Sequence, residues 1–248
     1  MLKYLILSTP RCGSSTLMAC CEIVFGAGSF VREPLNPYED SRHHPSILHD
    51  ASIRDRAAIL CDPASPVIGI KHVYSPFNPA MTDPSALEAL RRVLAIDGLR
   101  VILLSRQNLR HQFVSMEIAL QTGDWWSYGP DALPDSIDSV RAGRQRPIDD
   151  GVIRDQLFQL NDATSQLRTM CCQLKVDLAE RSYEELFVAQ PLVCLQNIAS
   201  ALTHFGVTKL EPAVAAQMGE LLGRGRRFRQ IANFHKQLGE IYPSLHDP

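Results

Sequence analysis

The chain has 248 residues, of which 45% are apolar and 21% charged, and a formal net charge of −2 at pH 7. This length suits one large α/β domain, so we expect residues 1–248 to form a single domain. The charge argues against a general nucleic-acid-binding protein. No stretch approaches the roughly 18 apolar residues of a membrane span, and the N-terminus lacks a secretory signal. We therefore expect a cytoplasmic protein without stable membrane insertion.

The seven cysteines are scattered, with two adjacent pairs and three single residues. They form no C-x-x-C motif and no Cys/His spacing typical of a zinc site. We therefore expect reduced thiols that mostly fill the core, and no structural or catalytic metal.

Apolar runs alternate with segments of helical periodicity along most of the chain. Strands are predicted at Lys3–Ser8, Val67–Val73, Arg100–Leu104 and Lys175–Glu180. Helices are predicted at Ser14–Phe25, Ser52–Cys61, Pro84–Ile96, Gln107–Thr122, Gly151–Leu174, Pro191–Phe205, Glu211–Leu222 and His235–Ile241. Three other segments are predicted to be mostly irregular, namely residues 26–66 apart from their one helix, a long loop or lid at 123–150, and a basic loop at 223–234.

This alternation predicts an α/β, three-layer P-loop-like fold with a mainly parallel central sheet flanked by helices. In such sheets, ligands bind beyond the carboxyl ends of the strands. The loops that follow the predicted strands should therefore gather at one edge of the sheet.

The turn between the first strand and the first helix has the composition of an anion-binding loop. Gly13 lets the backbone approach a ligand closely, and Arg11 adds a positive charge. The start of a helix aims backbone N–H groups and a dipole at an anion. A capped turn without a ligand is the alternative. The candidate residues are Pro10, Arg11, Cys12, Gly13, Ser14, Ser15 and Thr16.

The same loop departs from the nucleoside-triphosphate motif G-x-x-x-x-G-K-[ST]. It has one glycine and no lysine before its Ser/Thr residues, and no apolar strand ends in a clear Walker B aspartate. These departures disfavour, without excluding, a P-loop-like small-molecule kinase.

Three later segments carry further candidates. Arg106 lies just after the third predicted strand, and Ser115 follows nine residues later on a helix that leads into Gln-Thr-Gly-Asp-Trp. Tyr183 opens a Tyr-Glu-Glu-Leu segment after the fourth strand. Near the C-terminus, a basic segment contains Arg224, Arg226 and Arg227.

In this order, the four segments resemble those of sulfotransferases that use 3′-phosphoadenylyl sulfate (PAPS), and they are most similar to the bacterial carbohydrate type, which includes the trehalose and nodulation-factor enzymes. The resemblance covers most of the chain, although residues 35–66 and 125–175 match no specific motif. It implies transfer of a sulfuryl group to a hydroxyl of a carbohydrate or glycolipid, without a metal. A non-catalytic phosphoadenosine-binding module remains a further alternative, and pairing into a homodimer stays open.

The resemblance also implies roles for the donor-binding residues. Arg11 and the loop through Thr16 would hold the 5′-phosphosulfate, while Arg106 and Ser115 would hold the 3′-phosphate. Tyr183 either approaches the adenine or packs against its neighbours. One or two of the late arginines, Arg224, Arg226 and Arg227, would close over the donor.

A hydroxyl acceptor requires a general base. The first candidate is Glu33, because the trehalose-type enzymes carry a catalytic glutamate in a similar segment after the first helix. A surface glutamate held by Arg32 is the alternative. His72, at the end of the second predicted strand, is the second candidate, and the neighbouring Lys71 is expected near the sulfuryl group.

Overall fold

The computed structural model describes residues 1–36, 45–49, 51–122 and 150–224. Its strands are β1 (Tyr4–Ser8), β2 (Phe30–Arg32), β3 (Gly69–Val73), β4 (Arg100–Ser105) and β5 (Asp177–Ser182). Its α-helices are α1 (Ser14–Phe25), α2 (Ile53–Cys61), α3 (Pro79–Thr82), α4 (Pro84–Leu94), α5 (Leu109–Thr122), α6 (Asp150–Gln173), α7 (Tyr183–Phe187), α8 (Pro191–Leu202) and α9 (Pro212–Arg224). Short 3₁₀ turns lie at Ser46–Leu48 and Thr203–Phe205.

The strands form a five-stranded sheet in the order β2-β3-β1-β4-β5, and every neighbouring pair is parallel. One hydrophobic cluster packs α2, α4 and α6 on one face of the sheet. A second cluster packs α1, α8 and α9 on the other face. The predicted three-layer α/β fold is therefore confirmed. The loops that follow all five strands lie at the same edge, as expected.

This strand order creates a topological switch point at the centre of the sheet. The chain leaves β1 towards β2 at one side of the sheet, whereas it leaves the adjacent β4 towards β5 at the other side. Connections that diverge in this way open a crevice beyond the carboxyl ends of the two strands. The β1–α1 loop and the residues after β4 therefore border the position where such folds bind ligands.

The expectation that residues 26–66 are mostly irregular misses β2. This strand is only three residues long, which is too short for a recognisable periodicity. It pairs with β3 beside Gly69, where a β-carbon would lie 2.5 Å from the ring of Phe30. The missing side chain of Gly69 thus makes room for the aromatic ring that covers the sheet at this point.

Several predicted boundaries also shift by one to three residues. The fourth strand begins at Asp177 instead of Lys175, because α6 ends in a left-handed turn at Lys175, with φ of 53°. The N–H groups of Lys175 and Val176 close this turn on the carbonyls of Cys172 and Cys171.

The predicted basic loop likewise begins too early. The last described helix, α9, continues through Gly223 to Arg224, because Met218 and Leu222 keep its inner face in the core. The remainder of that loop, the helix predicted at His235–Ile241 and residues 123–149 of the predicted lid lie outside the described residues. None of the described helices is long and apolar enough to cross a membrane.

The packing of Phe30 on Gly69 can be tested with Gly69→Ala. The added methyl group would overlap the ring at 2.5 Å, so we expect the variant to lose roughly 1–3 kcal/mol of unfolding free energy in urea denaturation. Gly219→Ala in α9 is the matched control, because its β-carbon meets nothing within 4 Å. The control should be neutral or slightly stabilising, and equal urea midpoints for the two variants would contradict this packing.

Candidate functional site

The β1–α1 loop requires glycine at its last position. Gly13 has a φ of 80°, and a β-carbon there would lie 2.6 Å from the ring of Phe187. The first helical hydrogen bond runs from the N–H of Leu17 to the carbonyl of Gly13. The backbone N–H groups just before Leu17 therefore have no acceptor within α1, and they lie at the positive end of the helix dipole. The backbone of Arg11 also has a left-handed conformation, with a φ of 63°.

A buried glutamine on α5 holds this loop. The Gln112 amide nitrogen donates to the carbonyl of Pro10 at 2.6 Å and to the hydroxyl of Thr9 at 3.0 Å. It also lies 3.4 Å from the sulfur of Cys12. The sequence does not indicate this role of Gln112, because a glutamine on a helix has no distinctive pattern. Its position shows that the loop is ordered by a helix that lies about 100 residues later in the chain.

Cys12 contributes packing to the loop. Its side chain is fully buried, and burial raises the pKa of the thiol to about 11, against smaller opposing effects of Thr9 and Arg106. The thiol is therefore protonated at neutral pH and is a poor nucleophile.

Arg11 and Ser115 lie together. The Nε of Arg11 donates to the hydroxyl of Ser115 at 2.9 Å. The resemblance pairs Ser115 with Arg106, and Arg106 also reaches this loop, since its guanidinium donates to the carbonyl of Arg11 at 3.2 Å. Both predicted 3′-phosphate residues thus contact Arg11.

Arg106 is only 8% exposed and lies between two residues of α7. Its guanidinium stacks on the ring of Tyr183, 4.3 Å from the centroid. Its Nε lies 3.8 Å from a carboxylate oxygen of Glu184. Tyr183 also packs on Phe187, with ring centroids 5.4 Å apart.

Glu184 binds the backbone just before α5, a role that the sequence does not indicate. Its carboxylate accepts the backbone N–H groups of Gln107 and Asn108 at 2.9 and 3.2 Å, immediately before α5. The predicted helix start at Gln107 is therefore too early, because Asn108 instead accepts the N–H of His111 as a cap. Glu184 compensates part of the charge of Arg106.

Lys71 and Glu33 form a buried ion pair beside the loop. Lys71 is completely buried, and its ammonium lies 2.7 Å from Glu33 Oε1. The same ammonium donates to the hydroxyl of Ser15, in the first turn of α1, at 3.2 Å. The second oxygen of Glu33 accepts from the amide of Asn36 at 2.9 Å. Three predicted site residues therefore meet through direct hydrogen bonds.

The backbone of Glu33 is held in a left-handed conformation, with a φ of 46°. Its N–H donates to the carbonyl of Lys71 at 2.6 Å, and its carbonyl accepts from the N–H of Asn36 at 2.9 Å. Arg56 on α2 fixes the next residue by donating to the carbonyl of Pro34 at 3.3 Å. Such conformations in a residue other than glycine persist where surrounding contacts determine them, often at functional sites.

Both candidate bases have lowered pKa values, but for different physical reasons. Burial raises the pKa of the Glu33 carboxyl, but the charge and hydrogen bond of Lys71, with Asn36 and His72, outweigh burial and lower this pKa below its ordinary value. Burial lowers the pKa of His72 to about 4, which keeps the imidazole neutral at neutral pH.

His72 also projects away from Lys71, because adjacent residues of a strand face opposite sides of the sheet. Its Nδ1 is buried without a hydrogen-bond partner in the described part of the chain. Of the two candidates, Glu33 is therefore the one linked, through Lys71, to the first turn of α1.

The remaining predicted residues divide into two groups. Ser14 and Thr16 lie with Ser15 in the first turn of α1, and Ser14 is buried. Arg224 is the last residue of α9, whereas Arg226 and Arg227 lie outside the described residues.

Within residues 1–36, 45–49, 51–122 and 150–224, no group of three or more His, Cys, Asp or Glu residues could hold a metal ion.

The candidate site residues form a cluster of charged side chains near the start of α1. Three cationic side chains, Arg11, Lys71 and Arg106, face two carboxylates and the positive end of α1. An anion with several oxygens suits this combination of guanidinium, ammonium, hydroxyl and backbone donors.

Comparison with models of known families and with curated proteins finds no match.

The ion pair can be tested by removing Lys71. Lys71→Met leaves a buried carboxylate without its cation, so we expect a loss of about 3–5 kcal/mol of unfolding free energy at neutral pH. The double variant Lys71→Met/Glu33→Gln is the control, because it removes both charges and should recover much of this loss.

The two variants should also differ in pH dependence. In the wild type, the pKa of Glu33 is depressed, so its stabilising contribution is complete above pH 4.5, its ordinary pKa, and is lost as the pH falls through the lower folded value. In Lys71→Met, burial should instead raise this pKa, and the variant should gain stability relative to the double variant as the pH falls towards 4.5. Parallel pH profiles of the two variants in urea denaturation would contradict this account.

Proposed function

We propose that this chain is a sulfotransferase that moves a sulfuryl group from PAPS to a hydroxyl of a carbohydrate or glycolipid acceptor. The observation that carries the proposal is the hydrogen bond from Lys71 to Ser15. It places a buried ammonium at the first turn of α1, directly after the Arg11 loop that resembles the donor-binding loop of these enzymes. The loop lies beside the topological switch point of a parallel sheet, where ligands bind in this class of fold.

The first role of these residues is to bind the 5′-phosphosulfate of the donor. Arg11 offers a planar guanidinium, the first turn of α1 offers backbone N–H groups, and Ser15 offers a hydroxyl. Gln112 fixes the loop before a ligand arrives, which spares the cost of ordering it during the reaction. These donors would stabilise negative charge that develops on the leaving phosphate.

Arg106 and Ser115 would hold the 3′-phosphate. Their common contact with Arg11 supports this assignment, because it brings both side chains to the same end of the loop. The stack of Arg106 on Tyr183 fixes the plane of the guanidinium. One or two of Arg224, Arg226 and Arg227 would add charge over the donor.

The donor supplies the sulfuryl group: the acceptor oxygen forms a bond to sulfur, the bond from sulfur to the 5′-phosphate oxygen breaks, and adenosine 3′,5′-bisphosphate keeps that electron pair. Glu33 would accept the proton that the acceptor hydroxyl loses. Lys71 would stabilise charge on the sulfuryl oxygens. His72 is a weaker candidate for the base, because it faces away from Lys71.

Calorimetric titration with adenosine 3′,5′-bisphosphate and, separately, with ATP-Mg tests the proposal. We expect the wild type to bind the bisphosphate more tightly. Arg11→Ala should weaken that binding by roughly 10- to 100-fold, since a hydrogen bond to a charged group contributes about 1.5–3 kcal/mol. Arg91→Ala, on the exposed surface of α4, is the control and should leave binding unchanged.

Two outcomes would contradict the proposal. Binding of ATP-Mg without the bisphosphate would favour a kinase. Binding of the bisphosphate without transfer of labelled sulfate to any acceptor in a screen of saccharides and glycolipids would favour a non-catalytic module.

A further inference from the structure

The ammonium of Lys71 bridges the two halves of the proposed site. It contacts Glu33, the proposed base, at 2.7 Å on one side and Ser15, in the anion-binding turn, at 3.2 Å on the other. The side chain is fully buried, so water cannot readily replace either partner. Any change in the charge near Ser15 must therefore alter the attraction between Lys71 and Glu33.

A bound anion at the first turn of α1 would compete for this ammonium. An oxygen hydrogen-bonded to the hydroxyl of Ser15 would lie about 3 Å from it, and hence close to the lysine that donates to the same hydroxyl. Two anionic groups would then share one buried cation. The four-carbon stem of lysine lets its charge shift between partners more readily than a planar guanidinium does.

We propose that donor binding draws Lys71 from Glu33 to the ligand anion and so frees the Glu33 carboxylate to accept the proton of the acceptor hydroxyl. This inference rests on the proposed function and adds a coupling between its two substrates. Before the donor binds, Lys71 and Asn36 occupy both carboxylate oxygens of Glu33. After it binds, the carboxylate gains an open acceptor position in a dry environment, which strengthens it as a base.

The proton balance of the step is simple. The O–H bond of the acceptor breaks, its electron pair stays on the acceptor oxygen as this oxygen bonds to sulfur, and the proton joins Glu33. Lys71 keeps its proton throughout and acts as a positive charge that changes partner. Glu33 is thus poised to react only when the sulfuryl donor is already in the site.

The coupling predicts that removing the charge of Glu33 tightens donor-site binding. In Glu33→Gln, the carboxylate of Glu33 no longer attracts Lys71, so adenosine 3′,5′-bisphosphate should bind roughly fivefold or more tightly than it binds to the wild type. A purely structural role of Glu33 would instead loosen the site and weaken binding. Calorimetric titration of the folded variants measures the difference.

The double variant Lys71→Met/Glu33→Gln identifies the source of the gain. If Lys71 mediates it, the double variant loses the gain and binds more weakly than the wild type. If the double variant binds as tightly as Glu33→Gln, simple repulsion between Glu33 and the ligand explains the gain, and the exchange is wrong. Glu33→Asp, which keeps the charge but withdraws it from Lys71, gives a second measurement and should show a smaller gain.

The two proposals fail in distinguishable ways. Unchanged or weaker binding of the bisphosphate by Glu33→Gln, with normal binding by the wild type, overturns the exchange alone. Absence of bisphosphate binding by the wild type overturns the proposed function together with the exchange.

Discussion

The buried ion pair between Lys71 and Glu33 joins three elements of the fold. Lys71 lies on β3, Glu33 follows β2, and Ser15, which Lys71 also contacts, lies in the first turn of α1. Burying two charges costs several kcal/mol, and their attraction offsets this cost only with good hydrogen bonds. The pair lies at the carboxyl edge of the sheet, where folds of this class bind ligands. This position points to a functional role for the pair.

A second set of contacts fixes the loop beside this pair. Gln112 holds the carbonyl of Pro10, and Arg106 holds the carbonyl of Arg11. Glu184 in turn pins the start of α5. The candidate anion-binding groups are therefore positioned by contacts from the end of β4, from α5 and from α7. Such preorganised donors are the main means by which proteins stabilise charge in group transfer.

The sequence predicts much of this arrangement, because local patterns carry it. Strand alternation predicted the parallel sheet, and the loop from Pro10 to Thr16, the candidate anion site, follows β1 at the carboxyl edge of this sheet. The partners of each side chain were beyond prediction, since they depend on contacts across the sheet. Lys71 and Glu33 are 38 residues apart and meet through a three-residue strand without a periodic pattern. Ser115 bonds to Arg11 across 104 residues, a contact that no local motif records.

The most direct test of the account is a crystal structure of the chain with adenosine 3′,5′-bisphosphate. The account predicts the 5′-phosphate at the N–H groups of the first turn of α1, in contact with Arg11, and the ammonium of Lys71 closer to the phosphate than to Glu33. A ligand bound away from the β1–α1 loop would contradict the proposed site. A ligand in the loop with the contact between Lys71 and Glu33 unchanged from 2.7 Å would contradict the exchange of partners.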